Sequence, residues 1–343
     1  MNITVLGAGA WGTAMAIALT RHHDVVLWGR SADAMREANR LRENREGLPG
    51  ISLPEKMWVT HDLDEAIFHA SDDTALLLVA VPVSGLRDTV SKLGKDDFPC
   101  PNLICLCKGF EENTGLLPHQ VVAALVPDEL PVGILSGPSF AQEVANRLPC
   151  ALTLASASQS LRQSVSAALN VEHLRIYSSD DVMGVAVGGG IKNILAIAAG
   201  ISDGLGFGLN ARAALMTRGL AEATRLGTAL GGRPETFMGL TGMGDLILTC
   251  TGDLSRNRQV GLLLAQGVPL DAVIHGLGHV AEGVHCAKAV CALAEKQGVE
   301  MPITRAVVDV LFNGESPRDM VSRLMSRRAR EESDAIYRAA PAP

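Results

Sequence analysis

Several charged positions in this chain have residue types and settings that could do chemistry on a small anion. Lys108 follows the apolar run Leu103-Ile104-Cys105-Leu106-Cys107 and precedes a glycine, so a strand there would carry an ammonium at its end. In doubly wound sheets, ligands bind outside the carboxyl ends of the strands. A solvated flank is the equal alternative. Lys192 interrupts Val185 to Ile201, an otherwise apolar, glycine-rich stretch. A buried ammonium without a partner is costly or loses its proton, so Lys192 must face a cleft or a carboxylate, unless it snorkels from a half-exposed helix. Gly242-Met243-Gly244-Asp245 supplies an acid on what reads as a flexible turn. Ser255-Arg256-Asn257-Arg258 supplies cations and donors that suit an anion at a helix start, or else form a solvated helix face. Lys108, Lys192, Asp245 and Arg256 together suggest a small phosphorylated substrate, which the pattern alone does not name.

A second constellation sits at the amino terminus. Gly7-Ala8-Gly9-Ala10-Trp11-Gly12 has the spacing G-x-G-x-x-G, directly after a strand-like run and opening a helical one. Gly7 makes a tight turn, Gly9 lets a pyrophosphate approach the backbone, and Gly12 lets helix pack on strand. Unpaired N–H groups at the helix start then face phosphates. A purely structural turn, or an S-adenosylmethionine site, is the alternative. The next strand ends Leu27-Trp28-Gly29-Arg30-Ser31, with no Asp or Glu to hold ribose hydroxyls. Arg30 suits a 2′-phosphate, which favours NADPH over NADH without excluding NADH; a solvated surface arginine is the competing reading.

These residues need elements to position them. Ile3 to Leu6, Val25 to Trp28, Ala75 to Val81, Leu103 to Cys107, Val132 to Leu135 and Ala151 to Leu154 are continuous apolar runs separated by helical patterns. Such runs predict a mostly parallel sheet covered on both faces, a Rossmann-like α/β domain. A helix is predicted from about Trp11 to Arg21, and Ser31 is placed to cap the next one. From Asp180 onward the chain reads as helices punctuated by glycine: Val182 to Ala199, Ala211 to Leu230, and others opened by Pro234, Pro302 and Pro317. The expected division is a dinucleotide domain over 1–179 and an all-helical domain over 180–343, with the last dozen residues frayed.

Composition excludes other classes. Thirty basic against thirty-seven acidic side chains leave a net charge of −7, and aromatics are 3%, a poor match to nucleic-acid binding. The seven cysteines form no C-x-x-C pair and read as buried thiols, so no metal is expected. The longest uninterrupted apolar runs are too short to span a bilayer. A soluble, cytoplasmic protein is the expectation.

At these residues the chain resembles the bacterial NAD(P)-dependent glycerol-3-phosphate dehydrogenases, over roughly Met1 to Arg330. The resemblance rests on Gly7 to Ala14, Lys108-Gly109, Ser136-Gly137-Pro138-Ser139-Phe140-Ala141, Gly188 to Asn193, Ser202 to Gly208, Gly242 to Leu246, Ser255 to Arg258 and Glu282-Gly283, in that order. It implies reversible reduction of dihydroxyacetone phosphate to sn-glycerol 3-phosphate for phospholipid synthesis. Lys192 matches the family's catalytic lysine, with Lys108 and Asp245 expected to act on it. Lys108, Gly137, Ser139, Lys192, Asp245, Ser255, Arg256 and Asn257 match substrate-binding positions. Gly7, Gly9, Ala10, Trp11, Gly12, Arg30, Lys108, Ala141, Arg256, Val280 and Glu282 match cofactor positions. Ala10 departs from the Ser or Asn of many relatives, leaving backbone contacts there. The resemblance also implies a homodimer. A hydroxyacid or 6-phosphogluconate dehydrogenase of the same two-domain plan, and a catalytically silent dinucleotide sensor, are the competing readings.

Overall fold

The structure is a computed structural model that describes residues 1–94, 98–277 and 281–326. Val280 and the expected frayed tail lie outside the described residues. Contacts divide the chain into two compact units, Met1–Cys107 with Pro118–Val182, and Lys108–Leu117 with Met183–Pro343. The ten residues Lys108–Leu117 thus leave the first unit just after a strand and belong with the helices, where the sequence reading kept them in a continuous dinucleotide domain. The cause is visible at Phe110, which is 1% exposed. Its ring fills the space beside Gly190, where an added Cβ would lie 2.7 Å away.

The first unit is built on eight strands: β1 (Asn2–Leu6), β2 (Asp24–Trp28), β3 (Trp58–Thr60), β4 (Leu76–Val79), β5 (Leu103–Cys105), β6 (Val132–Ser136), β7 (Cys150–Ser156) and β8 (Leu174–Ser179). Their order is β3-β2-β1-β4-β5-β6-β7-β8. Every pairing is parallel except β6 with β7. Leu6 pairs with both Trp28 and Val79, so the carboxyl ends of β1, β2 and β4 lie side by side. Residues Ile3 to Leu6 and Leu76 to Val79 are buried without alternation, as expected of strands covered on both faces. The sequence reading missed β3 and β8. β3 is three residues long, too short for a periodic signal. β8 alternates, burying Leu174 and Ile176 while exposing Arg175 and Tyr177, the period-2 pattern of a half-solvated strand at the sheet's edge.

The second unit is helical. Its centre is the helix Val182–Gly204, in which every residue from Gly184 to Ser202 is buried. At 23 residues and a mean hydropathy of 1.7 over its most apolar window, it is long and apolar enough to cross a membrane by length and composition. The sequence predicts a helix over Val182 to Ala199, but only the shorter uninterrupted apolar runs bear there on membrane-spanning length. Of that window, 89% is already buried inside the protein, so its apolar surface is used up by packing. Glycine makes that packing close. A Cβ on Gly200 would lie 2.0 Å from the Arg258 carbonyl oxygen, and one on Gly261 would lie 2.1 Å from that of Ile197. The helices Pro234–Phe237, Pro302–Phe312 and Pro317–Met325 each start on the expected proline.

Candidate functional site

Three residues far apart in sequence meet in the second unit. Lys192 lies midway along the central helix and Asp245 opens the helix Asp245–Thr251. Lys108 belongs to the excursion from the first unit's sequence. Asp245, 1% exposed, stands between the two ammonium groups. Lys192 Nζ donates to its Oδ1, and Lys108 Nζ donates to its Oδ2 at 2.8 Å. Thr249 Oγ1 donates to the Asp245 carbonyl at 2.6 Å. Asp245 is therefore not on a flexible turn. A single π-helical turn, Leu240–Gly244, leads into its helix. Gly242 there presses on Phe237, where a Cβ would sit 2.0 Å from the carbonyl oxygen.

Two lysines on one carboxylate leave a net positive charge in a water-poor place. Burial pulls the Lys192 ammonium down to about 8 from its usual 10.5. Asp245 opposes that shift, and the Lys108 charge adds to it. A lysine poised there can hold or release a proton near neutral pH, which is what general acid–base chemistry on a carbonyl or alcohol needs.

A ladder of amides ties this cluster to a helix start. Asn193 Nδ2 donates to the Lys108 carbonyl at 3.4 Å, Asn257 Nδ2 to Asn193 Oδ1 at 3.1 Å, and the Gly283 N–H to Asn257 Oδ1 at 3.0 Å. Both ends of the Asn257 amide are thus engaged within the protein. Ser255 is likewise occupied, its Oγ accepting from the Arg258 N–H at 3.3 Å as the cap of the helix Arg256–Ala265. What this helix start offers a ligand is its first N–H groups, which have no intrahelical acceptor, and the exposed Arg256 side chain. No hydrogen bond or ion pair joins Arg256 to another described residue. Glu282 opens the helix Glu282–Lys296 within electrostatic reach of Arg256. Asn193 stood inside a motif of the resemblance, but nothing in its spacing pointed to this ladder.

In the first unit, the glycine loop between β1 and the helix Ala10–Leu19 meets the requirements of a dinucleotide site. Gly7 has φ +120, and a Cβ there would strike the Ala80 carbonyl at 2.8 Å. A Cβ on Gly12 would lie 2.0 Å from the Gly7 oxygen. On Gly9 it would meet nothing within 4 Å. Gly7 and Gly12 are thus required by the fold, whereas Gly9 opens the helix start to space a pyrophosphate could take. No side chain caps that helix start, which the N–H groups of Ala10, Trp11 and Gly12 begin. Arg30 is exposed just past β2. Gly137 (φ +139) and Ser139 follow β6, with Ser139 Oγ donating to the Gly137 carbonyl at 2.9 Å, and Ala141 begins the short helix Ala141–Ala145. Buried Asn44, absent from the sequence reading, braces the glycine loop. Its Nδ2 donates to the Ala8 carbonyl and to Thr13 Oγ1, both at 2.8 Å, and its Oδ1 accepts from the Gly47 N–H at 3.0 Å.

Among the described residues, no group of three or more His, Cys, Asp or Glu is placed to hold a metal ion. All seven cysteines are free thiols, six of them buried and Cys150 partly so.

Comparison with known proteins gives a consistent result. Residues 2–162 match the family described as NAD-dependent glycerol-3-phosphate dehydrogenase N-terminus, and residues 181–322 match its C-terminus. The chain is 61% identical over 332 residues to glycerol-3-phosphate dehydrogenase [NAD(P)+] of Janthinobacterium sp. (strain Marseille), covering 97% of this chain and 99% of that one. It is 59% identical to the protein of the same name from Herminiimonas arsenicoxydans, with the same coverage. Among solved structures, the glycerol-3-phosphate dehydrogenase of Coxiella burnetii superposes with a TM-score of 0.88 at 38% identity, covering 95% of this chain and 98% of that one.

Proposed function

Because the chain belongs to the NAD-dependent glycerol-3-phosphate dehydrogenase family, we propose that it reversibly reduces dihydroxyacetone phosphate to sn-glycerol 3-phosphate with a nicotinamide cofactor. The observation that carries the mechanism is the buried Lys192 ammonium held on Asp245 beside Lys108.

The glycine loop of Gly7, Gly9 and Gly12, with the N–H groups of Ala10 and Trp11, would hold the cofactor pyrophosphate, and Ala141 and Glu282 would complete its contacts, together with Val280 outside the described residues. When bound, the reduced nicotinamide supplies the hydride. Lys192 hydrogen-bonds the ketone oxygen and donates its proton as negative charge builds there, so C2 gains a C–H bond and the oxygen an O–H bond. In the oxidative direction, neutral Lys192 accepts the hydroxyl proton. Asp245 fixes the direction of the ammonium and holds its pKa up, while Lys108 draws it back toward neutrality. Arg256 and the helix start behind it balance the substrate phosphate, with Gly137 and Ser139 as further substrate contacts.

We extend the proposal to a preference for NADPH. Arg30 supports it, an exposed cation at the end of β2 where no Asp or Glu stands. A homodimer working in the cytoplasm and feeding phospholipid synthesis is the reading the resemblance implies. The test is absorbance of the reduced nicotinamide, followed with dihydroxyacetone phosphate for the parent and Lys192→Ala. Turnover should fall by about 10²–10⁴ while cofactor affinity holds; near-normal turnover in the variant would overturn the assignment.

A further inference from the structure

Asp203, in the last turn of the central helix, is used by no step above, yet it is the hub of a second charge cluster in the helical unit. Its Oδ2 accepts from Arg258 Nε at 3.0 Å, Arg258 Nη2 at 2.8 Å and Arg212 Nη1 at 3.0 Å. Arg258 Nη1 donates in turn to Asp253 Oδ1 at 2.9 Å. The Asp203 and Arg258 side chains are each 12% exposed, so the pairing is screened far less than a surface ion pair. Arg258 also closes the Ser255 cap with its own N–H. The Arg258 carbonyl is the atom against which Gly200 packs. The first turn of the helix Arg256–Ala265 is thus clamped to the central helix twice, by backbone contact at Gly200 and by charge at Asp203.

From this geometry we propose that Asp203 is a positioning residue for recognition of the substrate phosphate. Through Arg258 it fixes the place and direction of the helix start that presents Arg256 and the first N–H groups. The inference rests on the reading that this helix start receives the phosphate. The chemistry that follows is specific. An oriented helix start that also carries the Arg256 cation rewards a dianionic phosphoester over the same three-carbon ketone without it, so Asp203 contributes to discrimination and not to the proton transfer at Lys192.

The test compares kcat/KM for dihydroxyacetone phosphate with kcat/KM for dihydroxyacetone in Asp203→Asn, Arg258→Gln, the double variant and Arg212→Gln. In Asp203→Asn the preference for the phosphorylated ketone should fall about tenfold, the scale expected when a binding group shifts by a fraction of an ångström. The fall should appear as a higher KM for dihydroxyacetone phosphate, with kcat and the cofactor KM within about twofold of the parent. Arg258→Gln should match it, and the double variant should be little worse than either, because the two residues act as one pair. Arg212→Gln, which leaves the Asp203–Arg258 contacts in place, should keep the parent preference. An unchanged preference in folded Asp203→Asn overturns the proposal, as does equal loss against both ketones. Should Asp203→Asn fail to fold, Asp203→Glu keeps the charge but displaces the carboxylate, and its preference is read in the same way. A parent enzyme that does not prefer the phosphorylated ketone would instead sink the phosphate reading of the helix start, a distinct result.

Discussion

Replacing Asp245 by Asn separates the electrostatic role of that carboxylate from its shape. The amide keeps the size of the side chain and can still touch both lysines, but the negative charge between two buried ammonium groups is gone. In the parent, Asp245 is the largest influence holding the Lys192 pKa up against burial, and the balance stands at about 8. An opposite charge in contact is worth about one to three pH units, so its removal should leave Lys192 titrating between about pH 5 and about pH 7. At neutral pH the protonated fraction would fall from about nine-tenths to half or less. The assay is kcat/KM for reduction of dihydroxyacetone phosphate from about pH 5 to about pH 9, which reports the free enzyme's essential groups. The parent should lose activity above about pH 8, and Asp245→Asn should lose it at least about one unit lower. The limb belongs to the coupled cluster and not to one atom, so the displacement carries the argument more than the absolute value. Lys108→Met should displace the limb the opposite way. If the Asp245→Asn limb stays at about pH 8 or rises, Lys192 is not the group that titrates.

Three further outcomes follow from other parts of the structure. Gly9→Ala should leave folding stability within about 0.5 kcal/mol of the parent yet raise the cofactor Kd roughly tenfold. Gly12→Ala, whose Cβ would sit 2.0 Å from a backbone oxygen, should cost about 3 kcal/mol or more of stability; thermal unfolding and cofactor titration separate the two. Arg30→Ala should raise KM for NADPH roughly tenfold and leave NADH nearly unaffected, a ratio measured directly by steady-state kinetics. Burial pushes the Glu222 carboxyl up to about 7 from 4.5, against three hydrogen bonds from Ile303 and Thr304. A proton kept by the native state but lost by the unfolded chain favours folding at low pH. This contribution is therefore complete below about pH 4.5 and falls away toward about pH 7, by about 3 kcal/mol in all. Glu222→Gln should remove that slope from chemical unfolding measured across the range.

What was legible in the sequence was residue type in local context. The glycine loop could be read because a strand, three glycines and a helix start are contiguous, and Lys192 because an ammonium in a buried apolar helix contradicts its surroundings. Its counter-charge could be nominated but not located, since Asp245 is 53 residues from Lys192 and 137 from Lys108. Asn44 escaped for a different reason, and so did the tasks of Asn193 and Asp203, although both stand inside motifs of the resemblance. Each is a common polar residue whose task is to satisfy another group across the fold, and such pairing leaves no mark in spacing. The reversal of direction at β7 was hidden because an apolar run reads alike in either orientation.

The detour of Lys108–Leu117 into the helical unit bears on how the protein is made. A ribosome delivers Lys108 long before the residues that will enclose it: Asn193 follows it by 85 residues and Asp245 by 137. Synthesis halted between Asn193 and Asp245 leaves both lysines without their counter-ion although Gly190 is already there for Phe110 to pack against. A fragment begun at Met183 lacks the same lysine and the same ring from the outset. The proton-handling centre therefore forms only once residue 245 of the 343 has been made.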